Sequence, residues 1–230
     1  LILPCVALGT ATFIMQASES VISICFNASL LKYGDDIAVG AMTILSSVMQ
    51  FAMLPLQGIA QGSQPITSYN YGARNSARVR QTFRLLVKVC LCYSVALWAI
   101  IQLFPGIFAQ IFTPNADLVA FTVPALRVYC AALFLFGIQI ACQMTFVSIG
   151  YAVCSIIVAV LRKFILLLPL IYLLPHLLAD QTMAVYTAEP VADAIAVTCT
   201  AILFGVQFHK AMQKLEQEAE TQNSPASDAR

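Results

Sequence analysis

Six long apolar segments constrain this chain more strongly than any other feature of its sequence. They run over Pro4–Leu31, Ile37–Tyr69, Val79–Phe104, Leu118–Ser148, Ala152–Leu174 and Ala184–His209. Each is longer than the roughly 20 residues that a helix needs to cross a hydrocarbon core of about 30 Å. The runs are also too continuously apolar for the alternating strands of an outer-membrane barrel. The sequence therefore predicts an all-α, polytopic membrane protein with six transmembrane helices.

The composition agrees with a bilayer environment and excludes several classes of function. Hydrophobic residues make up 60 % of the chain and charged residues only 10 %, against about 25 % charged residues in soluble domains. The basic residues are not interleaved with aromatic side chains, so we expect no nucleic-acid partner. The eight cysteines lie within or beside apolar runs without a C-x-x-C pair, which indicates neither a zinc site nor a disulfide framework. No catalytic motif or cofactor fingerprint occurs, so we expect neither an enzyme nor a bound cofactor.

Positive charge is distributed unevenly over the loops. Five of the twelve basic residues crowd the stretch 74–88 after the second segment, and Lys210 and Lys214 follow the sixth. The loops after the first, third and fifth segments contain no Lys or Arg, although Lys32 borders the first. By the positive-inside rule, we expect the basic loop and both chain ends on the cytoplasmic side of a plasma membrane.

The polar end of the chain differs from the rest. Residues 1–212 hold the six segments and are expected to form one transmembrane lobe. Residues 213–230 are polar, poor in aromatic residues and rich in Glu, Ser and Ala, which predicts a solvated helix end that frays into a disordered cytoplasmic tail. The sequence opens on Leu1 without the basic region or cleavage site of a signal peptide. We therefore expect the chain to begin partway into a longer protein.

Polar residues form a continuous stripe along the first predicted helix. Its members, spaced by three or four residues, are Thr12, Gln16, Glu19, Ser23 and Asn27. This spacing places them on one face, with Glu19 near the centre. A charge at mid-bilayer costs about 2.5–3.5 kcal/mol on insertion scales, so the presence of Glu19 in this segment indicates a structural or functional role. Two interpretations remain open: Glu19 is neutral and hydrogen-bonds a neighbouring helix, or it is an ion-coupling residue that takes up H⁺ or helps to coordinate Na⁺.

Glutamines repeat the pattern in two other segments. They are Gln50, Gln57 and Gln61 in the second segment and Gln139 and Gln143 in the fourth. All are candidates to line a cavity, together with Gln16, Ser23 and Asn27, although hydrogen bonds between helices would explain the glutamines equally well. Arg127 in the fourth segment either snorkels toward the interface or pairs with an acid.

Charged residues also occur in the last two segments. Glu189 and Asp193 follow Thr187 and flank a proline, which is the composition of a helix N-terminus. We predict that both acids open the sixth helix; a role in gating or ion entry is the alternative. Arg162 and Lys163 are interpreted as topology anchors rather than as ligands of a substrate.

A stretch containing glycine and proline joins the second segment to the basic loop. It reads Pro55-x-x-Gly58-x-x-x-Gly62-x-x-Pro65, followed by Asn70-Tyr71-Gly72-Ala73-Arg74. The two glycines, one turn apart, predict a kinked helix with a small, polar face packed on a neighbour, ending at Tyr71-Gly72-Ala73. This stretch resembles the motif after the eighth helix of the multidrug and toxic compound extrusion (MATE) family, most closely its MepA-type branch. The sequences at 32–36, 162–170 and 188–193 fit the same branch.

The resemblance implies a fold of two six-helix lobes related by a pseudo-two-fold axis along the membrane normal, of which this chain resembles the second. It implies that Glu19 matches the seventh-helix glutamate implicated in coupling cation entry to drug release. The aspartate that some members carry in the helix matching the fourth segment is absent, so a site with two carboxylates is not implied. The implied partners are the first six-helix lobe or a second copy of this chain, small drug-like molecules and the lipid bilayer.

These observations predict an antiporter, coupled to H⁺ or Na⁺, that exports amphipathic, often cationic, drug-like compounds across the cytoplasmic membrane. Two alternatives remain. One is a lobe of a flippase for lipid precursors, which would have a similar architecture. The other is a truncated membrane protein that transports nothing, in which substitution of Glu19 would have no effect.

Overall fold

The computed structural model describes residues 2–151 and 157–223, which are helical apart from short connections. Side chains are described for Ala17, for Glu19 to Tyr151 and for Ile157 to Glu218. The helices of these ranges are α1 (Ile2–Gly72), α2 (Ser76–Leu103), α3 (Pro105–Phe112), α4 (Ala116–Tyr129), α5 (Phe136–Ser148), α6 (Ile157–Leu177) and α7 (Gln181–Asn223). A 3₁₀ turn at Leu133–Leu135 precedes α5, and wide π-type turns occupy Leu161–Leu167 within α6. The prediction of an all-α fold is confirmed.

Four described helices are long and apolar enough to cross a membrane, namely α1 from Glu19 onward, α2, α6, and α7 as far as Glu218. The bent pair α4 and α5, whose axes differ by 42°, forms a fifth span when the two are counted together. The α1 stretch of 54 residues is too long for one crossing, since it extends over about 81 Å at 1.5 Å per residue. It is broken at Asp35, where φ is 56° and ψ is −172°. We therefore assign the first two predicted segments to α1, and the described helices agree with six crossings.

The break in α1 is held by α7. Backbone carbonyls that precede a break lose helical donors and need other partners. The Thr182 hydroxyl donates to the Tyr33 carbonyl oxygen at 2.7 Å, and the buried Tyr186 hydroxyl donates to the Ala38 carbonyl oxygen at 2.7 Å. A Cβ atom at Gly34 would lie 2.5 Å from Thr182 Cγ2, so glycine permits this close approach. These contacts fix the angle between the two arms of α1.

The core lies where α1 packs against α2, α4, α5 and α7. Its largest fully buried side chains include Tyr186, Phe26, Leu30, Leu45, Leu56, Ile101, Leu126, Leu133 and Ile171. The outer surface is apolar as well, with exposed side chains such as Phe51, Leu54, Leu85 and Ile165. Helices that are hydrophobic on all sides are typical of membrane spans. The chain is therefore a multi-pass membrane protein.

The glycines of α1 and α5 have contrasting surroundings. Pro55 and Pro65 lie inside the continuous helix α1, and a methyl group added at Gly58 or Gly62 would meet no described atom within 4 Å. The neighbour predicted to pack on this face is therefore not among the described residues. In α5, by contrast, a Cβ atom at Gly137 would lie 2.6 Å from the Cys90 carbonyl oxygen of α2. The close contact between helices is therefore at Gly137, which is not part of the Pro55–Arg74 motif.

The turn between α1 and α2 agrees with the prediction. α1 ends at Gly72, and Arg74 adopts a left-handed conformation with φ 56°. The Asn75 side chain accepts a hydrogen bond from the Arg78 backbone N–H at 3.0 Å, which satisfies one of the unpaired donors at the start of α2. The basic loop is thus a tight turn that leads directly into the next helix.

A group of polar contacts, here called the end clasp, joins this turn to the end of α7; it comprises Arg74, Ser76, Arg80, Glu216 and Glu218. Glu216 Oε1 lies 2.9 Å from Arg80 Nη2 and accepts from the Ser76 hydroxyl at 2.9 Å. Glu218 Oε2 lies 3.8 Å from Arg74 Nε. The basic turn and the end of α7 therefore lie at the same end of the bundle.

The predicted tail is helical over part of its length. α7 continues to Asn223, so the predicted boundary at residue 212 lies inside a helix, and residues 213–223 are part of that helix. Its glutamates and lysines are good helix formers, and the end clasp binds two of these glutamates. Residues 224–230 lie outside the described ranges.

Candidate functional site

Charged side chains from three membrane-spanning helices meet inside the bundle. We call this group the charge cluster; it comprises Glu19 of α1, Arg162 and Lys163 of α6, and Glu189 and Asp193 of α7. Ionised groups inside a membrane protein are costly unless they pair or face water. The cluster is therefore the strongest candidate for a functional site in the described part of the chain.

Arg162 joins α6 to α7. Its Nη2 lies 2.9 Å from Glu189 Oε1, and its Nε forms an ion pair with Asp193 Oδ1. The guanidinium carbon also lies 5.1 Å from the ring centroid of Phe136 in α5, within cation–π range. The Asp193 side chain is only 2 % exposed and that of Arg162 20 %. Arginine suits this position because its planar fork can bind two carboxylates at once.

Lys163 joins α6 to α1. Its Nζ forms an ion pair with Glu19 Oε1, although the lysine side chain is 12 % exposed and the glutamate side chain 59 %. Both cations lie in the stretch of π-type turns, which often occurs at functional positions. Neighbouring residues of α6 thus reach acids on two different helices.

The balance of charge within the cluster allows it to attract a further cation. Three carboxylates surround two cations, so one negative charge is in excess when all five groups are ionised. In a medium of low dielectric constant, such an excess attracts a proton or another cation. The carboxylate with the most exposed side chain of the three is Glu19, so it is the acid that a mobile cation reaches most easily.

The prediction that Glu189 and Asp193 open a helix is wrong. α7 begins at Gln181, and Asp180 Oδ1 accepts from the Met183 N–H at 3.1 Å, so Asp180 supplies the cap. The Thr187 hydroxyl donates to the Met183 carbonyl oxygen at 2.7 Å, which is a contact inside a helix. Asp180 was the sequence signal that could have placed the helix start correctly.

The interpretation of Arg162 and Lys163 as topology anchors is also wrong. An anchor would extend toward the membrane surface, whereas both side chains are largely buried and paired with acids. A sequence signal was available, since two bases and three acids within apolar segments would each need a partner. The identity of the partners depends on helix packing and could not be predicted from spacing.

The other candidate residues are distributed over exposed and buried positions. Ser23, Asn27, Gln50, Gln57 and Gln61 are exposed, and Gln143 is half-buried. Gln139 is buried, and its Oε1 has no hydrogen-bond partner among the described residues. The side chain of Gln16 lies outside the described ranges. Arg127 is exposed and forms no ion pair within those ranges.

The site offers little for tight binding of a metal ion. Within the described ranges, no group of three or more His, Cys, Asp or Glu side chains is arranged to hold a metal. The carboxylates of the charge cluster are instead engaged by Arg162 and Lys163. Exchange of a proton or a weakly held cation is the chemistry that this arrangement favours.

Ionised side chains between membrane-spanning helices are typical of transport proteins, in which they bind ions or substrates. The fold and the charge cluster therefore define an α-helical membrane protein with ionised groups between its spans. The chain belongs to the MatE family, whose profile matches residues 11–173. The family predicted from the Pro55–Arg74 motif is thus confirmed.

Individual relatives agree with this assignment. The multidrug export protein MepA of Staphylococcus haemolyticus (strain JCSC1435) is 25 % identical over 132 residues, which are 57 % of this chain and 28 % of that protein. An inward-facing multidrug resistance MATE family transporter of the MOP superfamily shares the fold with a TM-score of 0.82, at 19 % identity, over 91 % of this chain and 47 % of its own.

A second solved structure is closer in sequence. The MATE multidrug transporter DinF-BH is 34 % identical with a TM-score of 0.72, over 85 % of this chain and 43 % of its own. The chain therefore spans less than half of the length of these relatives.

Proposed function

We propose that this chain is part of a multidrug efflux antiporter, in which entry of H⁺ or Na⁺ drives export of an amphipathic, often cationic, drug-like compound. The observation that carries the proposal is Glu19, an acid in a membrane-spanning helix whose side chain remains 59 % exposed while it pairs with a lysine side chain that is only 12 % exposed. Membership of the MatE family and the names of the relatives, a multidrug export protein and multidrug transporters, support it.

In the proposed mechanism, Glu19 changes its charge as the transporter changes state. The ionised carboxylate attracts the cationic compound, and arrival of H⁺ or Na⁺ at the same carboxylate removes that attraction. A bound cation can shift the equilibrium between two facing states only if its affinity for them differs. The ion is thereby coupled to release of the compound, because both compete for one negative charge.

The test is Glu19→Gln in the natural polypeptide that contains this chain, assayed in inverted membrane vesicles with an imposed H⁺ or Na⁺ gradient. Glutamine keeps the shape of the side chain but cannot bind a cation by charge. We expect gradient-driven transport of a fluorescent lipophilic cation to fall by about tenfold or more, within the usual range of coupling between sites. The coupling ion is the one whose gradient drives transport in vesicles that contain the unmodified protein.

Asp117→Asn is the matched control, because it removes an exposed carboxylate at the start of α4 and should transport as the unmodified protein does. Insertion is checked by the amount of protein in the membrane. Transport that is unchanged in Glu19→Gln would eliminate Glu19 as the coupling residue.

A further inference from the structure

The two cations of the charge cluster are bound in different ways. Arg162 contacts two carboxylates and the Phe136 ring, so three groups hold it in place. Lys163 forms its ion pair with Glu19 alone among the described residues. Glu19 has the most exposed side chain of the three acids in the cluster. The two acids that bind Arg162 are buried. Arg162 is therefore the fixed cation of the cluster and Lys163 the replaceable one.

The chemistry of the lysine side chain suits this difference. An ammonium group is a point charge on a flexible chain of four carbons, and it does not need the planar geometry that fixes a guanidinium. The cluster holds three carboxylates for two cations, so two carboxylates remain for Arg162 and Lys163 when a cation from outside occupies Glu19. Release of Lys163 from Glu19 therefore leaves the charges of the cluster balanced.

We propose that Lys163 is the resident counter-ion of Glu19 and competes with the incoming cation for that carboxylate. The inference rests on the proposed function, because it takes Glu19 as the site that the transported cation visits. When no cation is present, Lys163 neutralises Glu19 within the protein. When a cation binds, the ion pair between Lys163 and Glu19 opens, and occupation of Glu19 by the two positive charges is mutually exclusive.

A binding measurement tests the competition directly. The natural polypeptide that contains this chain is purified in lipid nanodiscs, and its affinity for the tetraphenylphosphonium cation is measured in the unmodified protein and in Lys163→Met. Removal of a competing positive charge should tighten binding by about tenfold. Lys163→Arg, which keeps the charge, should not tighten it, and Glu19→Gln combined with Lys163→Met should bind as weakly as Glu19→Gln alone.

Lys88→Met is the matched control, because it removes an exposed lysine of α2 that is not in the cluster, and it should leave the affinity unchanged. Equal affinity in Lys163→Met and the unmodified protein would overturn the proposal. Weaker binding in Lys163→Met would also overturn it, since Lys163 would then orient Glu19 rather than compete for it.

A second measurement remains informative if tetraphenylphosphonium binds to none of the proteins. A hydrophobic carbodiimide modifies carboxyl groups in their protonated form, and mass spectrometry locates the modified residue. Loss of the neighbouring ammonium group favours the neutral carboxyl, so Glu19 should be modified several-fold faster in Lys163→Met than in the unmodified protein or in Lys88→Met. Equal rates of Glu19 modification in Lys163→Met and the unmodified protein would overturn the proposal. Faster modification in Lys163→Met, together with an unmodified protein that shows no gradient-driven transport, would reject the proposed function but support Lys163 as the counter-ion of Glu19.

Discussion

At the scale of single residues, the charge cluster depends on Arg162, whose guanidinium group binds two carboxylates that are almost inaccessible to solvent. Glu189 and Asp193 both accept from Arg162, and Asp193 has no other ion pair among the described residues. Loss of one partner from a buried ion pair is strongly destabilising, because the remaining charge keeps its desolvation cost without compensation. The stability of the α6–α7 contact should therefore be sensitive to this one side chain.

We predict that Arg162→Met lowers the free energy of unfolding by about 3–5 kcal/mol, the usual cost of a broken buried pair. The measurement is thermal or denaturant unfolding of the purified protein in detergent. Arg127→Met, which removes an exposed arginine of α4, should have little effect. If both variants unfold at the same point as the unmodified protein, Arg162 does not stabilise the bundle.

At the scale of helices, the contact between α2 and α5 depends on Gly137. The α2 serine at this contact, Ser94, is buried, and its hydroxyl donates to the Phe134 carbonyl oxygen at 3.0 Å. A Cβ atom at Gly137 would lie 2.6 Å from both the Ser94 Oγ and the Cys90 carbonyl oxygen. Because the second of these is backbone, the two helices would have to separate to make room. Close approach through small residues is a common basis of helix packing in membranes.

We predict that Gly137→Ala lowers the free energy of unfolding by about 1–3 kcal/mol, as overpacking usually does. Gly205→Ala in α7 is the control, since a methyl group there meets no described atom within 4 Å and alanine has the higher helix propensity. Unfolding in detergent compares the two variants. A loss of stability in Gly205→Ala equal to that in Gly137→Ala would contradict the assigned contact.

The helices illustrate which parts of the fold could be predicted from sequence. Apolar length located the segments, and Gly72 located the end of α1, because both are local properties of the chain. The open surroundings of Gly58 and the close contact of Gly137 could not be distinguished, since a glycine has the same sequence signature in either place. The partners of Arg162 and Lys163 were missed for the same reason, since helix packing sets them. The Lys163 pair joins residues 144 positions apart in sequence, and the two Arg162 pairs join residues 27 and 31 positions apart.

At the scale of the whole molecule, the end clasp connects the turn after α1 with the far end of the last helix. Arg80 and Glu216 are partly exposed, so their ion pair contributes only about 0–1 kcal/mol and weakens with salt. Its effect should be local, through the order of the end of α7 rather than through global stability.

We predict that Arg80→Glu makes the end of α7 more sensitive to endoproteinase Lys-C, which cleaves after Lys210 and Lys214 but not after arginine, because the glutamate repels Glu216. Addition of Glu216→Arg should restore protection by reversing the pair. Digestion of membrane-embedded protein at low salt, followed by mass spectrometry, measures both rates. Equal cleavage in the single and double variants would show that the clasp does not order this end.

The open face of α1 also has a consequence for the lipids around the protein. Glu19, Ser23 and Asn27 are exposed, and acyl chains offer no donor or acceptor to such groups. The ring of lipids that surrounds a membrane protein therefore cannot close along this helix. At that gap in the annulus, either water or polypeptide must be in contact with α1.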